Sequence, residues 1–165
     1  MTGLLSGRPH TPAGYGIDSG ADGLMGWGDV SGRLTSAQNY WLATAGKNMR
    51  PHVMPVWGLW LEGAFLFSTD TASRKARNLA ANSHGTVHLE SGDDVVIVEG
   101  MVEQVTDPHA LASFVEAYDV KYGIRPDVSG PQARAYRLNP TVAFAWREKD
   151  YPKSATRWLF HRSKG

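Results

Sequence analysis

Residues 68 to 79 read Ser-Thr-Asp-Thr-Ala-Ser-Arg-Lys-Ala-Arg-Asn-Leu, a run of hydroxyls and cations spaced to hold an anion. The apolar stretch Ala64 to Phe67 leads into it, and Ala76, Leu79 and Ala80 then recur at the i, i+3, i+4 spacing of one helix face. Ser73 is a good N-cap, which sets Arg74 and Lys75 at the first two helical positions. Cations there oppose the helix dipole and the free amides, at about 0.3–1 kcal/mol each. A bound phosphate sharing those amides removes the conflict. A solvated helix start, with both charges in water, is the competing reading.

A second stretch, Arg50-Pro51-His52-Val53-Met54-Pro55-Val56-Trp57, places two prolines in one apolar segment. Proline cannot donate to a ladder, so the segment reads as an edge or bulged strand whose remaining amides and carbonyls can face a planar heterocycle. Other chemistry is poorly supported. The chain has no cysteine, no Gly-x-Ser-x-Gly elbow, no His-Glu-x-x-His helix and no Gly-x-Gly-x-x-Gly fingerprint. Of six histidines, His84 and His88 have i, i+4 spacing, but on a strand they stand about 13 Å apart, too far for one ion. No metal is expected. Asp93-Asp94 falls in a turn signal and reads as solvated. His52 is a candidate acid by residue type, with a structural strand histidine as the alternative, and no catalytic residue is assigned.

The elements that must position these groups are mostly strands. Residues 1 to about 30, rich in Gly, Pro, Ser and Asp, read as an extended or partly disordered arm, and residues 31–165 as one domain. Ser31–Asn39 reads as a short helix. Strands are expected over Tyr40–Ala45, Arg50–Trp57, Leu59–Leu61, Ala64–Ser68, Thr86–Glu90, Val95–Val105, Ala133–Leu138 and Thr141–Trp146. Helices are expected at Ser73–Asn82 and from Asp107-Pro108, the latter burying Leu111, Phe114, Val115, Tyr118 and Tyr122 and ending at Gly123. Hairpins with two inserted helices predict a mainly β fold, a six- or seven-stranded antiparallel barrel.

The 165 residues suffice for one domain with a proper core. No run approaches the roughly 20 apolar residues of a membrane span, and no signal pattern opens the chain, so a cytoplasmic location is expected. A net charge of +1 carries no nucleic-acid signature. Six tryptophans and six tyrosines are a heavy aromatic load, read mainly as core or interface anchors.

Together these motifs resemble the pyridoxamine 5′-phosphate oxidase-like flavin/deazaflavin split-barrel proteins. The resemblance runs from Tyr40 to Phe160: Tyr40-Trp41-Leu42-Ala43-Thr44, Arg50-Pro51-His52, Pro55-Val56-Trp57-Gly58, Ser73 to Leu79, Val98-Glu99-Gly100, and Ala155 to Phe160. Gly14-Tyr15-Gly16 in the arm is similar to the branch that uses the deazaflavin coenzyme F420. The resemblance implies a split barrel forming a homodimer, with a cofactor in each of two interface grooves. It implies that Ser73, Arg74 and Lys75 hold the cofactor phosphate with Ser68 and Thr69 nearby, and that His52, Val53, Met54, Pro55, Val56 and Trp57 contact the ring through the backbone. Asn78 would reach the cofactor tail, Arg77 would extend a positive groove for it, and Trp146 and Arg157 would help close the site across the dimer.

The chain departs from the oxidases where Val95 stands in place of a glutamine, and where Arg157-Trp158-Leu159-Phe160 replaces a C-terminal Arg-Leu pattern. These departures point away from pyridoxine-phosphate oxidation. The implied function is transfer of a hydride from reduced F420 to a small organic substrate. The alternatives are an FMN-dependent oxidase or reductase and a flavin- or haem-binding protein without turnover.

Overall fold

The computed structural model describes residues 4–161, so the outermost parts of the arm and of the domain, 1–3 and 162–165, lie outside the described residues. In chain order the elements are β1 (Leu4–Gly7), α1 (Trp27–Ser36), β2 (Tyr40–Ala45), β3 (Pro51–Val56), β4 (Leu59–Leu61), β5 (Ala64–Asp70), α2 (Arg74–Ala81), β6 (His84–His88), β7 (Asp94–Gln104), α3 (Pro108–Tyr122), β8 (Ala133–Arg147), α4 (Tyr151–Ser154) and β9 (Thr156–Phe160). All nine strands belong to one antiparallel sheet of order β1-β9-β8-β7-β6-β2-β3, with β5 also on β8 and β4 on β5. The mainly β split barrel expected from the sequence is the fold observed.

Among the described residues β3 pairs only with β2, and β4 only with β5. The ladder is therefore open between them, and this gap is the split. Strand alternation sends Tyr40, Leu42 and Thr44 inward and Trp41, Ala43 and Ala45 to the outer face. The barrel interior is filled by Leu42, Phe65, Phe67, Val87, Val96, Val98, Leu138 and Trp158, and α1 closes one end with fully buried Val30 and Leu34. A second core forms where Phe114 and Tyr118 of α3 cover Ala64 and Leu66 of β5 and Ala135 of β8.

Three elements differ from the sequence reading. Expected strands 133–138 and 141–146 are one strand, β8, because Pro140 sits opposite Gly100 where the β7 register shifts between Glu99 and Gly100. A bulge leaves a position that needs no donor, so proline does not break the strand there. Helix α1 starts at Trp27 rather than Ser31, since the Trp27 ring packs on Trp60, Trp158 and Phe160 at 6.0, 5.3 and 5.1 Å. The arm contains a strand: β1 pairs with β9, itself not read as a strand. Arg8 pins the arm by donating to the carbonyls of Gly20, Asp22, Lys153 and Ala155. No helix among the described residues is long and apolar enough to cross a membrane.

Candidate functional site

The N-terminus of α2 lies at the split. Ser73 caps it, its Oγ accepting from the Ala76 amide at 3.2 Å. Thr69, near the end of β5, lies 3.1 Å from that Oγ through its own hydroxyl. Arg74 and Lys75 occupy the first helical turn as expected, both half-buried. Among the described residues neither forms an ion pair, and the first turn of α2 holds no acidic residue. Two cations, two hydroxyls and the free helix amides thus lie together, the donor set of a phosphate site, and the one carboxylate in the preceding turn, Asp70, accepts from the Ala72 amide.

Across the split stands His52. Its register partner on β2 is Thr44, whose hydroxyl accepts from Asn78 Nδ2 of α2 at 3.0 Å. That buried contact seats α2 under β2 and β3. His52 Nδ1 is occluded from solvent and has no hydrogen-bond partner. Desolvation, followed by the charges of Arg74 and Lys75, holds the imidazole pKa below its usual value. The cations therefore reach His52, and the β3 and α2 sides of the site are one electrostatic unit.

The remaining expected residues divide. Met54 and Val56 share the His52 side of β3, whereas Val53 and Pro55 lie on the outer face with Trp41 and Ala43. Ser68 points to the opposite face from Thr69, toward the α3 layer with its partner Ala135. Asn78 is buried with its amide committed to Thr44, so it ties helix to sheet. The Arg77 guanidinium folds back onto the Ala72 carbonyl. Trp146 and Arg157 are on β8 and β9, four and five strands from β3 in the sheet order. At about 4.8 Å per strand, that is roughly 20–24 Å along the sheet surface. Both residues lie on the outer face, where register groups them with Phe144 and Val142. A groove of about 370 Å³ opens on that face between Pro51, His84, Thr86 and Glu99. His84 and His88 bound the same strand, and no cluster of three metal-ligating side chains occurs among the described residues.

Sequence reasoning missed a bracket at the C-terminus of α3. Tyr122 was legible only as part of a core stripe, and Lys121 carried no signal. In the fold Lys121 Nζ donates to Tyr40 Oη at 2.9 Å and to the Gly58 carbonyl at 3.1 Å.

The His52 shift fixes the sign of a pH effect. Because the folded-state pKa lies below that of the unfolded chain, the unfolded state binds more protons, and His52 makes the fold lose stability as pH falls below about 6.5. An anion seated between Arg74 and Lys75 removes part of the cause. Titration of the His52 ring by NMR should give a low pKa in the free protein and a higher one with a phosphate-bearing cofactor bound. A pKa unmoved by such a ligand would separate His52 from the anion site.

The family model described as Pyridoxamine 5′-phosphate oxidase matches residues 30–147. No curated protein matches the chain. Among solved structures, a conserved hypothetical protein from Mycobacterium tuberculosis superposes with a TM-score of 0.67 at 24% identity, covering 86% of this chain and 92% of that one. A protein described as an F420 reductase superposes with a TM-score of 0.57 at 23% identity, over 68% of this chain and 94% of its own. HutZ, the haem storage protein of Vibrio cholerae, gives 0.55 at 16% identity, over 68% and 88%. At such identities the likeness is one of fold.

Proposed function

The chain belongs to the pyridoxamine 5′-phosphate oxidase family, and from that membership we propose that it is an oxidoreductase that binds reduced coenzyme F420 and passes a hydride to a small organic acceptor. The observation that carries this reading is the pair Arg74 and Lys75 at the α2 N-terminus, which has no ion-pair partner among the described residues. These residues fit a cofactor phosphate. F420 supplies the hydride chemistry when bound. The chain supplies grip, orientation and exclusion of water.

Orientation falls to β3. Pro51 and Pro55 share strand parity with Val53, and prolines sit where no ladder N–H is required. The odd positions thus turn their amide planes to the open edge, where the N–H and C=O of Val53 would be available to hold a cofactor ring. His52, on the neighbouring parity, stays on the phosphate side. FMN satisfies the same clamp; the deazaflavin is favoured by Gly14-Tyr15-Gly16, while Trp158, a core residue where the oxidases carry their Arg-Leu pattern, points away from pyridoxine-phosphate oxidation.

Two copies complete the site. Trp41, Ile97, Val142, Phe144 and Leu159 share the outer sheet face and are only half-covered. Packing these faces together in a homodimer carries Trp146 and Arg157 of one protomer toward the clamp of its partner, which the single chain keeps apart from them. Anaerobic mixing of reduced F420, protein and a panel of quinones and enones tests the activity. Reoxidation of F420 that requires the protein is expected. Tight binding with no reoxidation across the panel would replace the enzyme reading with that of a carrier.

A further inference from the structure

Trp57 leaves the end of β3 with 46% of its surface exposed, yet its orientation is fixed. One face of the indole lies flat on the Tyr122 ring, with centroids 4.8 Å apart and planes within 1°. Tyr122 is itself immobilised. Its hydroxyl accepts from the Gly58 amide at 3.1 Å and lies 2.8 and 2.9 Å from the carbonyls of Gly58 and Gln38. Lys121 adds bonds to the Gly58 carbonyl and Tyr40 Oη, and its Nζ sits 4.9 and 5.2 Å from the Tyr40 and Tyr122 ring centroids. Gly58 cannot shift inward, because even a Cβ there would lie 2.5 Å from the Phe65 ring.

The result is a parallel aromatic stack that stops short. Its inner ring is bolted to two backbone segments, at Gln38 and Gly58, and its outer indole, at the end of β3, is 46% exposed. Ordering an exposed tryptophan costs side-chain entropy and leaves apolar area in water. Flat stacking on a further ring recovers both area and the preferred offset geometry of aromatic pairs. Val53, two positions before Pro55 on the outer face of the same strand, is 45% exposed and gives an apolar approach.

Resting on the hydride-transfer reading above, we propose that the open face of Trp57 is the platform for the acceptor substrate, a planar conjugated carbonyl compound of the quinone class, with Tyr122 and Lys121 as positioning residues. Planarity is the property selected, since a puckered ring of equal size meets the indole over less area and without aromatic stacking. Lys121, held in the network with its pKa lowered to about 8 by burial, stiffens the bracket without facing the acceptor.

The test uses 1,4-naphthoquinone as probe and trans-1-decalone as its puckered counterpart; the chain has no cysteine to form a quinone adduct. The Trp57 indole N–H resonance, assigned by its loss in W57F, should move on adding the quinone and stay still with the decalone. W57L should weaken quinone binding tenfold or more, and W57F, which keeps a flat ring, should restore it to within threefold. Y122F and K121M should weaken the quinone severalfold while the F420 dissociation constant stays unchanged, a split that general destabilisation would not produce. Unchanged quinone affinity in W57L overturns the platform. So does an indole signal that follows protein concentration instead of quinone, which would mark a contact between copies. Failure of the wild-type protein to bind F420 at all would remove the hydride-transfer reading instead, because the quinone titration is run without cofactor.

Discussion

Replacing Arg74 and Lys75 together with alanine should lower affinity for F420 by about 100- to 1,000-fold and leave the fold at least as stable as before. Each cation offers charge-assisted hydrogen bonds to a phosphate, worth about 1.5–3 kcal/mol apiece where partly desolvated. Losing two amounts to roughly 3–6 kcal/mol, and the expected factor corresponds to the lower half of that range. Stability moves the other way, since both charges oppose the helix dipole and neither has an ion-pair partner among the described residues. Isothermal titration with thermal unfolding of the same samples measures both. Cofactor affinity within threefold of the parent would mean that the cations merely point to water.

The second large effect concerns folding. Gly100 sits opposite the β8 bulge, where an added Cβ would lie 2.1 Å from the Asn139 carbonyl oxygen and 2.8 Å from a Leu138 methyl. The first obstacle is backbone in the facing strand, so no rotamer change relieves it. Gly100→Ala should therefore cost about 3 kcal/mol, at the upper end for overpacking, or prevent folding outright. Urea denaturation reads this directly, and a loss under 1 kcal/mol would show that the bulge opens easily. The Val98-Glu99-Gly100 motif thus has a structural cause: its glycine lets β7 and β8 approach.

The capped helix start that carries Arg74 and Lys75 was legible because each of its signals is local. A capping serine, cations in the first turn and an apolar i, i+3, i+4 face lie within twelve residues, and the helix forms with those bounds. The edge character of β3 was likewise written in Pro51 and Pro55. What depends on long-range pairing was hidden. Local pattern splits β8 at Pro140, because only the bulge that β8 forms against β7, with Thr141 left unpaired, makes a proline harmless there. Ser68 and Thr69 look equivalent in sequence, yet the pleat sends them to opposite faces, and only Thr69 reaches Ser73. Asn78 was expected to reach the cofactor tail, but its amide is committed to Thr44, 34 positions away. The bracket around Trp57 joins four segments, so no window of sequence contains it.

The central claim is that the clamp holds a deazaflavin. Dissociation constants for F420 and FMN, measured side by side on the full chain at one salt concentration, test it most directly. F420 should bind at least tenfold more tightly than FMN, and FMN binding more tightly than F420 would contradict the account.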